Sequence, residues 1–525
     1  MRADRALTAA ASVTMTLKGW RRLSAAFAAG AATALAFAPF YALPLMALGY
    51  CVLVLLIDGV AAGPRPRRAG FAVGWFFGFG FHLVGLYWMA FSFFVQAEEF
   101  AWMSPFAVTG MPAFLGLFTG AAASLAVAFW RPGWRRIFVF APVWMLFEYA
   151  RGHVLTGLPW NLPAQAFAGT AIGAQSAAWI GAYGLSLIVI TLACLPVAFA
   201  ADGRILRGVG ISLACVGLLF AAGAARLAGP EAGAHEDIFV RIIQPNIPQR
   251  EKIDPELYGR NFGRHLALSK GDSPGLLYVL WPENAAPLID ESADALAGVA
   301  AALPENAVLL TGTVRRAEDE TGETRYYNSV AIIAPTPAGP AVLAQYDKHH
   351  LVPFGEYLPM AGFLRSVGLA QLAPYDDGFT PGRGPWVWNA AGPPFAPLIC
   401  YEAIFPGELY PEAARPDWLV AVTNDAWFGD TSGPRQHLDQ ARLRSIETGL
   451  PMARSANTGI SALIDAKGRL LSRIRLYTEG RIDAPLPKAL KWTLYSRISD
   501  NAFVTLFLVV LLLGFVSRPP ARVRH

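Results

Sequence analysis

The 525-residue chain is 54% hydrophobic and only 15% charged, with a mean hydropathy of +0.38. That balance excludes an ordinary soluble globule, and the length exceeds a single domain. The formal charge of +5 would suit a nucleic-acid binder, but residues 231–500 hold 25 Lys/Arg against 32 Asp/Glu, so the positive excess sits in the apolar remainder. This is the pattern of membrane orientation rather than phosphate-backbone recognition, and no nucleic-acid partner is expected.

In chain order, apolar windows of spanning length fall at about 23–40, 41–58, 70–95, 105–130, 136–150, 173–200, 207–228 and 501–517, which predicts eight membrane spans. Arg21 and Arg22 before the Ala-rich first window also fit a signal peptide, but the spans that follow favour an anchor. Arg2, Arg5, Lys18, Arg21 and Arg22 precede the first span. Arg65, Arg67 and Arg68 follow the second; Arg131, Arg135 and Arg136 the fourth; Arg204 and Arg207 the sixth; Arg518, Arg522 and Arg524 the last. The opposite short loops carry only Arg151 and Arg226, with Glu98 and Glu99 after the third span. The positive-inside rule therefore sets both termini in the cytoplasm and the long segment before the last span outside it. The expected organisation is a transmembrane bundle of about seven spans over 1–230, an exported domain over 231–497, and a C-terminal transmembrane helix with a cytoplasmic tail over 498–525. Within the bundle, Glu148 and Arg151 stand three apart on one helix face and are expected to pair at the membrane interface, and His82 to serve as a bundle contact.

The exported segment alternates strands and helices: Ile238–Ile243, Leu276–Leu280, Ala307–Thr313, Ser329–Ile333 and Trp418–Thr423 read as strands, and Asp254–Ser269, Ala293–Leu303 and Arg435–Thr448 as helices. Such alternation suits an α/β layered sheet with helices outside. Three further observations point to chemistry. The apolar run Phe395 to Ile399 ends at Cys400, the run Leu276 to Leu280 ends at Trp281-Pro282-Glu283-Asn284, and the run Ala341 to Tyr346 ends at Asp347-Lys348-His349-His350. A thiol, a carboxylate and an ammonium thus each stand at a strand end. A thiol is mostly protonated at neutral pH and needs a base, a role open to Glu283. A fixed ammonium, Lys348, would stabilise the oxyanion formed when the sulfur attacks a carbonyl. The competing reading of Cys400 is inert packing. Cys51, Cys194 and Cys215 fall within expected spans, so Cys400 is the only thiol of the exported segment, with no disulfide partner there.

Trp-Pro-Glu-Asn at 281–284, Asp-Lys-His-His-Leu-Val-Pro-Phe-Gly-Glu-Tyr-Leu-Pro at 347–359 and Ile-Cys-Tyr-Glu at 399–402 together resemble the carbon-nitrogen hydrolase (nitrilase) superfamily and, with the membrane spans, its apolipoprotein N-acyltransferase branch. The resemblance implies a multi-span helical membrane domain joined to an α-β-β-α sandwich, in a bacterial inner membrane with the catalytic domain in the periplasm. It implies a Glu283, Lys348 and Cys400 triad with Glu356, Tyr401 and Glu402 in support. The reaction implied is acyl transfer from a membrane phospholipid, through a Cys thioester, to the α-amino group of a diacylglyceryl apolipoprotein. The alternative is a membrane-tethered amidase or nitrilase, in which water resolves the thioester. A transporter is disfavoured by spans without paired, broken helices and clustered charges. Trp427 and Phe428 end a strand region and would line an acyl chain, with Tyr357 beside them as a further substrate-binding candidate, although aromatics also serve as core. The apolar run Met360 to Ala370 would form a membrane-dipping lid or an ordinary packed helix. No cofactor is expected, and no metal at the adjacent His349 and His350. A monomer is expected. One departure stands out: Gln244-Pro245-Asn246-Ile247-Pro248-Gln249 is similar to the superfamily branch's opening signature, but Lys252 is followed by Ile253 where that branch usually has Trp.

Overall fold

A computed structural model describes residues 2–131, 133–337, 339–359, 378–390 and 392–515. The expected lid at Met360 to Ala370 lies outside the described residues. The chain divides into two compact units, one of Met1–Phe93, Phe100–Gly229 and Leu494–His525, the other of Phe94–Glu99 and Pro230–Thr493.

The first unit is helical, with long helices at Gly19–Ala34, Leu43–Ala61, Pro66–Gly85, Ser104–Ala128, Arg135–His153, Ala177–Ala198, Ile205–Ala228 and Asn501–Phe515, preceded by Arg2–Thr16. A helix accompanies each expected span, yet length and apolar composition alone qualify only four stretches among the described residues: Leu43–Ala61, Ala97–Ala128, Gly173–Asp202 and Ile205–Ala228. A fifth arises if Pro66–Gly85 continues through a 48° bend into Tyr87–Phe94. The remainder fall short because Gly19–Ala34 is brief and Arg135–His153 is charged. Those charges are internal. Arg136, 4% exposed, pairs with Asp58 at 3.1 Å. Arg151 donates through Nε to Glu148 Oε2 at 3.2 Å and through Nη1 to the Leu158 carbonyl, so the expected pair forms, with both side chains buried in the helical unit. His82 is likewise buried, its ring edge-on to Phe81 at 5.0 Å. Buried charge is tolerated only when paired, which these contacts supply.

Among the described residues the second unit contains eleven strands: β1 Ala234–Gln244, β2 Leu276–Leu280, β3 Ala307–Glu318, β4 Thr324–Thr336, β5 Gly339–Asp347, β6 Phe395–Ile399, β7 Trp418–Thr423, β8 Met452–Ala456, β9 Ala462–Ile464, β10 Leu470–Arg473 and β11 Gly480–Pro487. They form two sheets, ordered β11-β1-β2-β3-β4-β5 and β10-β9-β8-β7-β6. β1, β2 and β3 are parallel, as are β6, β7 and β8, and antiparallel strands flank each trio.

Side chains alternate across each strand, and here both faces are buried, which is why these strands read as unbroken apolar runs. Val240, Ile242, Tyr278, Leu280, Val308 and Leu310 of the first sheet meet Phe395, Ile399, Trp418, Val420 and Val422 of the second. The intervening residues Leu277, Val279 and Leu309 face outward onto Phe262 and Leu266 of the helix Tyr258–Ser269 and Val299 of the helix Ala293–Ala302. On the far side, Ala396, Leu398, Leu419 and Ala421 pack under Leu438 and Ala441 of the helix Ser432–Thr448. The result is the expected α-β-β-α sandwich. Tyr278, Phe395 and Trp418 close the seam between sheets, with ring centroids 5.1 to 6.1 Å apart.

Several predicted elements differ in their limits: β1 begins at Ala234 rather than Ile238, and β4 spans Thr324–Thr336 rather than Ser329–Ile333. The expected helix from Asp254 begins as a 3₁₀ turn at Pro255–Leu257, with the Asp254 carboxylate accepting from Glu256 N at 3.0 Å, before the α-helix starts at Tyr258. β3 runs on to Glu318 because its polar end pairs with the start of β4 in an amphipathic hairpin that hydropathy does not signal.

Ile332 of β4 is 1% exposed in the intersheet core, whereas Leu471 of β10 is 50% exposed. Ile332→Ala is expected to lower stability by about 2–5 kcal/mol, and Leu471→Ala by less than about 0.5 kcal/mol, read as unfolding midpoints of detergent-solubilised protein.

Candidate active site

The sandwich positions each candidate group by ending a strand and turning the chain. After β2, Trp281 N still continues the ladder to the Leu310 carbonyl at 2.9 Å, but Pro282 has no N–H and the chain leaves the sheet. Trp281, fully buried, anchors the exit through its indole N–H to the Ser269 hydroxyl at 2.8 Å. The chain then folds back onto β3, where Ala285 N and Ala286 N both bond the Gly312 carbonyl at 2.8 and 3.1 Å. A Cβ on Gly312 would stand 2.5 Å from the Glu283 Cα, so only glycine lets the acidic loop lie this close. Lys348 follows β5, its N–H bonding the Asn328 carbonyl at 2.8 Å and its own carbonyl accepting from Gly382 N at 2.8 Å. Cys400 follows β6 and opens the short 3₁₀ turn Cys400–Ile404 with φ of 49°, a region uncommon for a residue with a side chain.

These ends converge. The Lys348 side chain is 1% exposed, and its Nζ lies 2.8 Å from Glu356 Oε2 and 3.7 Å from Glu283 Oε1. Asn328 Nδ2 donates to Glu283 Oε1 at 2.8 Å and to Glu356 Oε1 at 2.6 Å, tying the two carboxylates on either side of the ammonium. Burial works against the Lys348 charge, but Glu356, Glu283 and Cys400 outweigh it and raise the ammonium well above its ordinary range. Burial also raises the Glu356 carboxyl, with Lys348 opposing and Glu283 adding to the rise. Burial pushes the half-buried Cys400 thiol far up; the negative Glu283 pushes the same way and Lys348 pulls back. The resting sulfur is therefore held as a thiol rather than a thiolate. Lys252 donates from Nζ to the Glu283 carbonyl, and burial lowers its ammonium to about 8 against the pull of Glu283 and Cys400.

The supporting residues separate by what they touch. Glu402 accepts from Ile399 N at 2.7 Å, His349 N at 2.9 Å and the Tyr346 hydroxyl at 2.8 Å, so one buried carboxylate ties the Cys400 turn to the residue after Lys348. Burial disfavours that charge, yet the His349 contacts and the Ile399 N–H hold the carboxyl below its ordinary value. Tyr401 packs edge-on to Phe405 at 5.0 Å. Trp427 and Phe428 lie half-buried in the short turn Asp425–Phe428 after β7, the strand beside β6. Tyr357 is placed differently, against the small cluster of Val314, Leu351 and Phe379. Donor atoms of His349, His350 and Glu408 come within 4.8 Å of one another. The two imidazoles, however, stack 4.9 Å apart at 24°, and in-plane lone pairs of stacked rings do not converge on one ion.

An acid, an ammonium and a thiol at the carboxyl ends of strands in a double sandwich define an enzyme of the carbon-nitrogen hydrolase type. Residues 240–490 match the family described as carbon-nitrogen hydrolase, and residues 29–195 match the apolipoprotein N-acyltransferase N-terminal domain. An apolipoprotein N-acyltransferase of Rhodopseudomonas palustris is 40% identical over 521 residues, spanning 96% of each chain. One of Brucella melitensis is 41% identical over 486 residues, 90% of this chain and 91% of that one. A solved carbon-nitrogen hydrolase superfamily protein of Xanthomonas campestris is 18% identical, covering 52% of this chain and 97% of its own, with a TM-score of 0.34. The chain belongs to the apolipoprotein N-acyltransferase family.

Asn328 and Lys252 carry site geometry that the sequence did not assign. An asparagine inside the strand Thr324–Thr336 is a usable signal, because Asn is depleted in strands. Lys252 stood in the opening signature, but nothing in its spacing pointed to the Glu283 carbonyl.

Gly312→Ala is expected to displace Glu283 and to slow acylation of Cys400 roughly 100-fold, measured in a single turnover. The depressed Glu402 carboxyl predicts stability that is complete above its ordinary 4.5 and is lost as pH falls through the lower folded value. Unfolding midpoints of Glu402→Gln should be lower than those of the unsubstituted protein above that pH and should lack this acid-side fall.

Proposed function

We propose that the chain carries a fatty acyl group from a membrane phospholipid, through a thioester on Cys400, to the α-amino group of the diacylglyceryl-modified N-terminal cysteine of apolipoproteins. The observation that carries the reading is the buried Lys348 ammonium held between Glu283 and Glu356, with both Lys348 and Glu283 acting electrostatically on the Cys400 thiol. Glu283 takes the thiol proton as sulfur attacks the ester carbonyl, and Lys348 faces the oxyanion. When the carbon–oxygen bond breaks, Glu283 returns the proton to the departing lysophospholipid and Cys400 holds the acyl group. The amine then attacks the thioester, gives its proton to Glu283, and Cys400 leaves as thiolate to be reprotonated. Glu356 and Asn328 keep Lys348 and Glu283 from collapsing onto one another. The excess of Lys and Arg in alternate loops favours a periplasmic position for this chemistry in a bacterial membrane. Anchoring would then hold enzyme and both lipid substrates in one thin layer.

Purified protein in detergent, given phospholipid and a diacylated lipopeptide, should yield a peptide heavier by one acyl chain and, without peptide, an acyl adduct on Cys400 by mass spectrometry. Cys400→Ala should abolish both. Release of free fatty acid with an unmodified peptide would mean that water, not the amine, resolves the intermediate.

A further inference from the structure

A second chain of buried polar groups ends on the Cys400 main chain, with donor atoms of Asp425 and His437 also within 4.8 Å of its sulfur. Arg454 of β8 reaches Asp425 Oδ2 at 3.0 Å, and both side chains are wholly buried. Asp425 Oδ1 lies 2.8 Å from His437 Nδ1, and it also accepts from the Thr423 hydroxyl at 3.2 Å. His437, 1% exposed on the helix Ser432–Thr448, sets its Nε2 3.1 Å from the Cys400 carbonyl oxygen. Arg454 and Asp425 are the charged groups facing the ring, and Glu283, Lys348 and Asp425 those acting on the thiol. Burial and Arg454 work against a second proton on the ring, while Asp425 and the Cys400 carbonyl favour it. The balance holds the ring below the ordinary imidazole range, so that Nε2–H donates to the Cys400 carbonyl while Nδ1 lies 3.2 Å from Arg454 Nη2 as well as beside Asp425.

Such a buried set is costly to assemble, and it closes on one backbone atom of the residue that stands at φ of 49°. Glu402 holds the preceding N–H, at Ile399, so the turn is fixed from both sides. Gly459 reinforces the arrangement: a Cβ there would lie 2.4 Å from Asp425 Oδ2.

We propose that His437, oriented by Asp425 and Arg454, is a positioning residue that clamps the Cys400 carbonyl and holds the nucleophile's backbone in the left-handed conformation that presents its sulfur. The inference rests on Cys400 being the nucleophile of the reaction proposed above. It adds a donor set outside the Glu, Lys and Cys group, acting through the main chain rather than on substrate.

Two readouts on the full-length protein in detergent test it: single-turnover thioester formation from phospholipid, and the pH profile of Cys400 alkylation by iodoacetamide, followed on the Cys400 peptide by mass spectrometry. His437→Ala should slow thioester formation roughly tenfold or more, about the effect of one lost hydrogen bond, leave the KM for phospholipid unchanged, and move the alkylation midpoint upward. His437→Gln, whose amide N–H can reach the same carbonyl, should recover most of both. Gly459→Ala, which displaces Asp425 while His437 stays in place, should reproduce the His437→Ala signature and keeps the test open if that variant does not fold. Wild-type rate and midpoint in His437→Ala, or a Gln variant as impaired as Ala, would overturn the clamp. An unsubstituted protein that never forms the thioester sinks the acyl-transfer reading instead, and alkylation, which needs no substrate, still reports on the clamp.

Discussion

The structure of the site depends on one ammonium kept out of water. Lys348 is almost completely enclosed, and an isolated charge there would cost several kcal/mol. Glu356 at 2.8 Å and Glu283 at 3.7 Å offset that cost, and Asn328 holds the two carboxylates in place. The shorter contact, to Glu356, neutralises the ammonium more strongly, and the longer leaves Glu283 less tightly held by it. This asymmetry lets one cation serve two acids without surrendering its charge to either.

The rest of the second unit can be understood as the means of delivering these groups. Glu283 and Lys348 come from the first sheet, Cys400 and Glu402 from the second, and Glu402 bonds back to His349 across the seam. Each group sits just past the carboxyl end of a strand, where the ladder stops and the chain is free to turn, the position in which open α/β sheets generally place their chemistry. A proline ends one strand, a glycine admits the returning loop, and an uncommon backbone angle turns the third. None of these devices touches a reacting atom, yet each sets where one stands.

Much of this was legible in the sequence. The strands Leu276–Leu280, Phe395–Ile399 and Trp418–Thr423 were found at their observed limits because both faces are buried and the apolar runs end sharply. The acid, the lysine and the thiol could be picked out because each breaks such a run. What stayed hidden depends on pairing across the fold. Asn328 sits mid-chain in β4 with no local feature tying it to Glu283, and His437 lies in a helix whose every residue but Arg435 is buried, so it lacks the amphipathic stripe that would mark one face as special. In the helical unit, Arg136 read as a loop charge because a hydropathy window sees composition and not partners, and Asp58, remote in sequence, is what makes its burial tolerable; Arg151 and Glu148, three apart on one helix face, could be paired from the sequence.

The seam between the sheets has one more consequence. Because Glu283 and Cys400 ride on opposite sheets, the side chains packed between those sheets, Tyr278, Phe395 and Trp418 among them, set the spacing at which the two sheets face each other. Substitutions on the outer faces can be absorbed by the helices that cover them, but a change of volume between the sheets has to be taken up by the separation of the sheets themselves. Divergence among such sequences should accordingly be freer in the outer layers than along this aromatic midline, where volume is held from both sides at once.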